Sequence, residues 1–398
     1  MQNIGELAGF TIAGPHNLRP RTAQIYALRR MVVAAFHRIV DAMTSQTALD
    51  CPSVFEAELP TCAFEHLTDP FEAHRVIAEA RRQAPIAMGH RLRRLVSKAF
   101  APRGAERLRE LVVEIITGLV DPLTAVGRCD VVTDIARRYP TPVICALLGA
   151  PAEDWQLFSD WTDGIKKLFE WNVVNDGPVI LAAWDELDTY LEDMITPRRA
   201  SLSDDLISDL IRCEEDGDRL THDELLMLSA TLLGAGTDTT RNQLAAAVQV
   251  LSAHPDQWDL LAEHPELATD AVHELIRYCP VIFGSIRKAA EDVELAGVRI
   301  PAGTIVAANT AAANRDPDVY DHPDRLDITR EDPPAMLTFG GGVHYCLGSH
   351  LARLELTEAL RVITQRMPNP RRTGPAPWKA INGITGPLSV PLEFDIGH

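Results

Sequence analysis

The sequence lacks paired cysteines, a long apolar run and a surplus of basic residues. Its 7 cysteines include no C-x-x-C pair and are odd in number, which argues against a disulfide framework or a structural zinc site. No apolar run approaches the roughly 18 residues that a membrane span needs. The beginning of the chain shows no basic segment leading into an apolar stretch with a cleavage site, so we expect a cytoplasmic protein with reduced thiols.

Acidic residues outnumber basic ones, 56 to 38, which makes the formal net charge −18. Such a charge opposes contact with nucleic-acid phosphates and with anionic membranes, so we expect no nucleic-acid partner. The 398 residues are 46% hydrophobic and 24% charged, which is typical of a globular protein with a sizeable core.

Helical periodicity covers most of the chain. In residues 1–62, a segment whose role the pattern does not reveal, one amphipathic helix is predicted over Ala23–Met43. Helical stretches alternate with short polar breaks from Phe64 onward. Residues Asp292–Thr310 differ, because alternating β-branched residues around a Pro-Ala-Gly turn predict short strands. Since no linker separates the two kinds of segment, residues 63–398 are interpreted as one interleaved domain.

A long helix is predicted from Thr221, whose side chain forms a capping box with Glu224, to about Ala253. Its middle contains the unfavourable stretch G-A-G-T-D-T-T. Gly234 and Gly236 each cost about 1 kcal/mol relative to alanine in a helix interior. Such a conflict between local preference and helical context often marks a functional site.

An acid and a hydroxyl follow these glycines, at Asp238 and Thr239. Glycines let a ligand approach the backbone, and the acid and hydroxyl beside that gap suit proton delivery to a small bound ligand. A tight helix crossing with a satisfied aspartate explains the same residues equally well, so both interpretations stay open here.

The loop Phe339–Gly348, F-G-G-G-V-H-Y-C-L-G, precedes another predicted helix that ends near Met367. Three successive glycines leave amides free to point at one object, and Cys346 near a helix start favours a thiolate. A thiolate in such a setting is an axial ligand for haem iron. The alternatives are a buried structural cysteine, a zinc site with His344 and His350, or a nucleophilic cysteine.

Together these motifs resemble the soluble bacterial cytochromes P450, from about His90 to the C-terminus. The family pattern F-G-x-G-x-H-x-C-x-G is matched throughout the loop. The resemblance implies that Cys346 ligates haem iron, that His344 contacts a haem propionate, and that Gly348 belongs to the cofactor site. It also implies that Ala235 and Gly236 line the oxygen groove.

Further residues take their roles from the same resemblance. Asp238 and Thr239 would be the acid and alcohol that steer protons during dioxygen activation. Arg287 and Arg93 would bind haem propionates, and His90, one position from its usual place, would assist Arg93. The E-x-x-R motif Glu274 and Arg277, with Arg325 from H-P-D-R, would form a buried structural triad; by itself the E-x-x-R pair would be a surface ion pair.

The implied fold is a mostly α helical prism with small β regions. The implied reaction inserts one oxygen atom from dioxygen into a small hydrophobic substrate at haem b. No Rossmann fingerprint is present, so the electrons must come from a partner. The resemblance implies that they pass from NAD(P)H through a ferredoxin reductase and a ferredoxin. Residues Val281–Ile286 and Ile381–Leu388 would face the substrate.

One departure from the family lies before residue 90. The chain passes from a stretch like the family's first helix directly into its third helix, so the region that roofs the substrate pocket has no counterpart. Either residues 1–62 cover the haem, or the pocket is open to water and leaks reduced oxygen. A haem-binding protein without monooxygenase turnover is therefore the rival hypothesis.

Overall fold

The computed structural model describes residues 87–167, 173–215, 220–295, 297–379 and 383–396. All of them belong to the second of two units into which the chain divides, Ala63–His398. The predictions for residues 1–86, which include the amphipathic helix Ala23–Met43 and the missing roof, lie outside the described residues.

Helices form most of the described chain, which confirms the predicted fold class. The first seven are α1 (Ala87–Val96), α2 (Pro102–Glu106), α3 (Arg109–Thr124), α4 (Pro140–Leu148), α5 (Trp155–Lys166), α6 (Val173–Arg198) and α7 (Leu206–Glu215). The others are α8 (His222–Leu251), α9 (Pro255–Glu263), α10 (Ala268–Tyr278), α11 (Thr310–Ala313) and α12 (Ser349–Arg366). A π-helical turn spans Val131–Ala136, and short 3-10 turns span Ala152–Asp154, Pro265–Leu267 and Gly342–His344.

The central helix α8 begins at the predicted capping box. The Glu224 backbone N–H donates to Thr221 Oγ1 at 3.2 Å, and the Thr221 N–H donates to Glu224 Oε2 at 2.9 Å. These bonds satisfy two amides that a helix start otherwise leaves unpaired. The helix then runs for 30 residues and packs against α4, α5, α6 and α12. It is the element that the other helices surround.

The strands of the described residues form three small antiparallel sheets. They are β1 (Arg128–Asp130), β2 (Gly284–Lys288), β3 (Val293–Leu295), β4 (Val298–Ile300), β5 (Ile305–Asn309), β6 (Arg371–Arg372) and β7 (Pro391–Glu393). One sheet has the order β1-β7-β6, with Cys129 opposite Leu392; the others pair β2 with β5 and β3 with β4. The strands predicted within Asp292–Thr310 are confirmed, and Gly303 at φ +85° forms the turn before β5.

The hydrophobic core lies around α8 and α12, where large side chains such as Trp258, Ile144 and Phe158 are fully buried. Among the described residues, none of the helices combines the length and the apolar character that a membrane crossing requires. The core therefore holds α8 and the helix that follows the glycine loop in one packed body, and these two elements position the candidate site.

Candidate active site

The glycine loop turns sharply before α12. Gly340 and Gly342 have φ values of +72° and +59°, a region that favours glycine. The Cys346 N–H donates to the Phe339 carbonyl at 2.8 Å, which closes the loop, and α12 begins three residues after Cys346 at Ser349. Cys346 is exposed, so the loop presents its thiol at the surface of the described fold.

Opposing effects act on the pKa of the Cys346 thiol. The surrounding atoms desolvate it and raise its pKa, whereas the Gly348 N–H and the positive charges of Arg93 and Arg353 lower it, and the net direction is upward. The predicted thiolate-stabilising groups are thus in place, but in the protein alone they do not outweigh desolvation. A bound metal cation would supply the missing stabilisation, because a coordinating thiol is deprotonated.

One face of α8 is open although most of the helix is buried. Met227, Thr231 and Ala235 follow one another at intervals of four residues and are exposed, and Thr239, four residues further, is half-buried. Residues four apart lie on the same face of a helix. The Thr239 hydroxyl donates to the Ala235 carbonyl at 2.9 Å. The alanine and the alcohol predicted to line the oxygen groove therefore meet on this open face.

Asp238 is buried and has partners of its own. Its Oδ1 accepts from Arg241 Nε at 2.7 Å and from Asn242 Nδ2 at 3.1 Å, and Lys166 Nζ lies 3.8 Å away. The acid and Thr239 are neighbours in sequence, but the structure gives them separate hydrogen-bond partners. A satisfied aspartate, which was the alternative for this segment, is what the described contacts show.

The two glycines of α8 have different surroundings. A Cβ at Gly234 would meet no atom within 4 Å, so the helix is open there. A Cβ at Gly236 would lie 2.9 Å from Ile144 Cδ1 of α4, which is too close for van der Waals contact. Gly236 is therefore explained by the close packing of α8 on α4, and the predicted gap for a ligand is at Gly234 and Ala235.

The E-x-x-R pair forms a buried ion pair, as the family resemblance implies. Arg277 Nε and Nη2 both donate to Glu274 at 2.7 Å, and both residues are at most 4% exposed. Arg277 Nη1 donates to the carbonyls of Asn314 and Pro323 at 2.9 and 2.8 Å. These bonds join α10 to the segments that precede the glycine loop.

The prediction that Arg325 is the third member of this triad is wrong. The Arg325 side chain is 69% exposed and lies 3.9 Å from Asp327, and only its backbone carbonyl accepts from Arg277. Arg330 takes its place, because its Nε donates to Glu274 Oε2 at 3.3 Å and its side chain is 14% exposed. The sequence signal that could have identified Arg330 is that it is a second arginine, five residues after Arg325.

The predicted propionate ligands lie on separate elements. Arg93, on α1, is close enough to Cys346 to lower the pKa of its thiol. His344 is exposed within the glycine loop, and Arg287 is exposed on β2. His90 lies on α1, three residues before Arg93 and hence on a similar face, but its side chain is outside the description.

Several features fit an iron porphyrin. The exposed Cys346 sulfur is a donor that haem iron accepts. A Cβ at Gly348 would meet nothing within 4 Å, Ala235 is exposed, and the Arg93 cation near Cys346 is suited to a carboxylate. The zinc alternative gains no support, since the described part of the chain contains no group of three or more His, Cys, Asp or Glu side chains placed to hold a metal ion.

The comparisons with known proteins agree with this arrangement. The family model of cytochrome P450 matches residues 55–367. The chain belongs to the cytochrome P450 family. Nocardicin C N-oxygenase of Nocardia uniformis subsp. tsuyamanensis is 39% identical to this P450 over 310 residues, which are 76% of this chain and 76% of the relative. Mycinamicin IV hydroxylase/epoxidase of Micromonospora griseorubida is 41% identical over 310 residues, 76% and 77% of the two chains.

Solved P450 structures share the fold. The crystal structure of CalO2 superposes with a TM-score of 0.74 at 33% identity and covers 77% of this chain and 78% of that one. The protein is therefore a cytochrome P450 oxidoreductase, and its cofactor is a haem.

Sequence reasoning missed one buried acid next to the site. Glu355 of α12 is 2% exposed, and desolvation raises the pKa of its carboxyl well above the ordinary value although Thr240 hydrogen bonds to it. Burial thus favours the neutral form of this acid, whose partner Thr240 lies on the helix that carries Asp238 and Thr239. A glutamate on the apolar face of a predicted helix was the available signal.

Proposed function

We propose that this P450 is a monooxygenase that uses haem b and inserts one oxygen atom of dioxygen into a small hydrophobic substrate. The observation that carries the proposal is the exposed thiol of Cys346 at the end of a closed glycine loop. The names of the relatives support the reaction class, since they describe an N-oxygenase and a hydroxylase/epoxidase.

When bound, the haem supplies the iron at which dioxygen is activated. Cys346 would ligate it through Sγ, and Arg93, His344 and Arg287 would hold its propionates, with His90 beside Arg93. Gly348, Ala235 and Gly236 would leave room for the macrocycle, and Gly236 also allows α8 to pack closely on α4.

Proton delivery would involve Thr239 and Asp238. The Thr239 hydroxyl already donates to the Ala235 carbonyl, which fixes Oγ1 at the open face of α8 while its lone pairs remain available to accept a proton. Asp238 would pass a proton to Oγ1 only after its carboxylate leaves Arg241 and Asn242, which engage it here, and takes up a proton from water. Opening of the ion pair would therefore precede each proton delivery.

Electrons would come from NAD(P)H through a ferredoxin and its reductase. Arg94, Lys98 and Arg103, on or beside α1 and α2, are exposed basic residues on the side of Arg93 and suit an acidic ferredoxin. Arg353 of α12 places its guanidinium carbon 4.5 Å from the centre of the Phe339 ring. That contact makes it a support of the glycine loop, and Arg91 lies on α1 with its side chain outside the description.

The first test is the carbon monoxide difference spectrum of the reduced, haem-reconstituted protein. We expect a strongly red-shifted Soret band that disappears in Cys346→Ala and is retained in Cys213→Ala, whose cysteine lies on α7. A band typical of histidine ligation, or a red-shifted band that survives Cys346→Ala, would overturn the proposal.

The rival function is a haem protein without monooxygenase turnover. Candidate hydrophobic substrates with a surrogate ferredoxin and reductase separate the two, because a monooxygenase consumes NADPH in proportion to product. NADPH consumption that yields only reduced oxygen would favour the rival. The domain boundary near residue 62 and the cytoplasmic location remain predictions.

A further inference from the structure

A cavity of about 310 Å³ lies against α8. Its walls come from four parts of the chain: the π-helical turn, α5, α8 and the C-terminal segment before β7. Its polar lining consists of Arg137, Lys166, Arg241, Asn242 and Lys379. None of these residues is among those expected to bind the haem, although Arg241, Asn242 and Lys166 are the neighbours of Asp238 described above.

Cations outnumber carboxylates around this cavity. Four basic side chains line it, while three carboxylates, Asp160, Asp163 and Asp238, pair with them. Asp163 is 2.5 Å from Arg137 Nη2 and 2.6 Å from Lys166 Nζ, and it also pairs with Arg241. Burial alone would raise the pKa of Asp163, but Arg241 and Lys166 lower it to about 2. Each of the three carboxylates thus already pairs with a cation.

Arg241 keeps an unused donor. The residue is 6% exposed, and its Nε and Nη2 serve Asp238 and Asp163, but its buried Nη1 has no hydrogen-bond partner. A buried charged donor without a partner has lost its hydration and gained no hydrogen bond in return, which is unfavourable. A ligand that accepts a hydrogen bond would remove this cost.

The hydrogen-bond partner of Lys379 is a neutral side chain. Its Nζ donates to Asn242 Oδ1 at 2.9 Å. Burial lowers the pKa of Lys379 and the nearby Lys166 and Arg241 lower it further, whereas Asp238 and Asp163 raise it in part. The ammonium group is therefore half-buried with its charge only partly compensated, a position that an anion would relieve.

We propose that this cavity binds the carboxylate of a small organic acid, with Lys379 and Arg241 as its cationic partners. The apolar part of the lining favours an organic acid over inorganic phosphate, since it would contact a hydrocarbon chain. This part consists of Val132, Ala136, Ala245, Pro387 and Leu388. Leu388 is 53% exposed and stands at the rim.

Calorimetry on the full-length protein tests the site with hexanoate, hexan-1-ol and inorganic phosphate. Hexanoate should bind to the wild type, and Lys379→Met should weaken it at least about tenfold, because a hydrogen bond to a charged group contributes roughly 1.5–3 kcal/mol. Arg299→Gln, which removes an equal charge from a side chain that is 79% exposed, should leave binding unchanged.

A second variant keeps the test valid if Lys379→Met folds poorly. Leu388→Glu leaves every cation in place and offers a tethered carboxylate at the rim, so it should abolish hexanoate binding. Equal binding of hexanoate and hexan-1-ol, tighter binding of phosphate, or unchanged hexanoate binding in both variants would overturn the proposal.

The acid has two possible sources, a substrate that carries a carboxylate or a separate effector. In the haem-loaded protein, a Soret shift on hexanoate binding would identify the substrate, and binding without a shift would identify an effector. The calorimetric result does not require haem, so failure of this site and failure of the monooxygenase proposal give different outcomes.

Discussion

Two acid–arginine pairs with the same spacing, Glu274–Arg277 on α10 and Asp238–Arg241 on α8, occupy different environments. Both pairs are buried and three residues apart. In the α10 pair every guanidinium nitrogen of Arg277 donates to an oxygen, whereas in the α8 pair Arg241 Nη1 has no partner. The three-residue spacing of an acid and an arginine thus does not determine whether the pair is fully hydrogen bonded within the fold or lines a cavity.

The difference comes from what surrounds each pair. Carbonyl oxygens of a long connecting segment converge on Arg277, and the Asp327 N–H donates to Glu274 Oε1 at 3.1 Å. Side chains from α5 and the C-terminal segment converge on the α8 pair, and several of them are cations. Backbone oxygens complete the first network, while the second retains positive charge.

The largest expected effect is a loss of stability when the Glu274–Arg277 pair on α10 is broken. Arg277→Met leaves Glu274 with fewer partners in a buried position, and breaking a buried ion pair costs about 3–5 kcal/mol. Urea unfolding should show this loss, and the variant should retain little haem. A loss below about 1 kcal/mol would show that the α10 pair does not hold the loop segment.

A smaller loss of stability is expected when Arg330, the further partner of Glu274, is replaced. Arg330→Met removes a partly buried partner of Glu274, and we expect a loss of about 1–2 kcal/mol in the same unfolding experiment. Arg325→Met is the matched control, because its exposed side chain should change stability by no more than about 0.5 kcal/mol. The reverse order of the two variants would restore the triad expected from the sequence.

At Thr239, beside the α8 pair, we expect a change in chemistry with little change in stability. Thr239→Ala removes the hydroxyl on the open face, and product formed per NADPH should fall about tenfold if Oγ1 positions a proton. Thr239→Ser should retain most of the coupling. Coupling that is unchanged in Thr239→Ala would contradict the proton-delivery role.

The smallest effect is a pH dependence at Asp163. Since its folded pKa, about 2, is below that of the unfolded chain, its ion pairs add stability above pH 4, and that contribution declines as the pH falls from about 4 toward 2. The stability lost in Asp163→Asn should therefore be smaller at pH 3.5 than at pH 6. An equal loss at both values would show that the carboxylate is not held in its charged form.

The sequence predicted those elements whose determining residues lie close together in the chain. The capping box at Thr221 located the start of α8, and the turn at Gly303 located the strands before β5. The glycine loop was also predictable from the sequence, because its glycines and its cysteine lie within ten residues. Two of these glycines adopt positive φ values in the structure.

Contacts between distant segments were not predictable in this way. Two arginines follow Pro323, and the turn in which Thr329 donates to Asp327 decides which one reaches Glu274. The cavity beside α8 draws its cations from positions separated by up to 242 residues, Arg137 to Lys379, which no periodicity connects. The missing partner of Arg241 is visible only after these segments have met.

The contact between Gly236 and Ile144 also constrains how this protein can evolve. Any side chain at Gly236 would have to displace the Ile144 side chain, which is 1% exposed and part of the hydrophobic core. A larger residue at position 236 is therefore acceptable only with a smaller residue at position 144. Across homologous sequences the two positions should vary together, and a lone change at either should be rare.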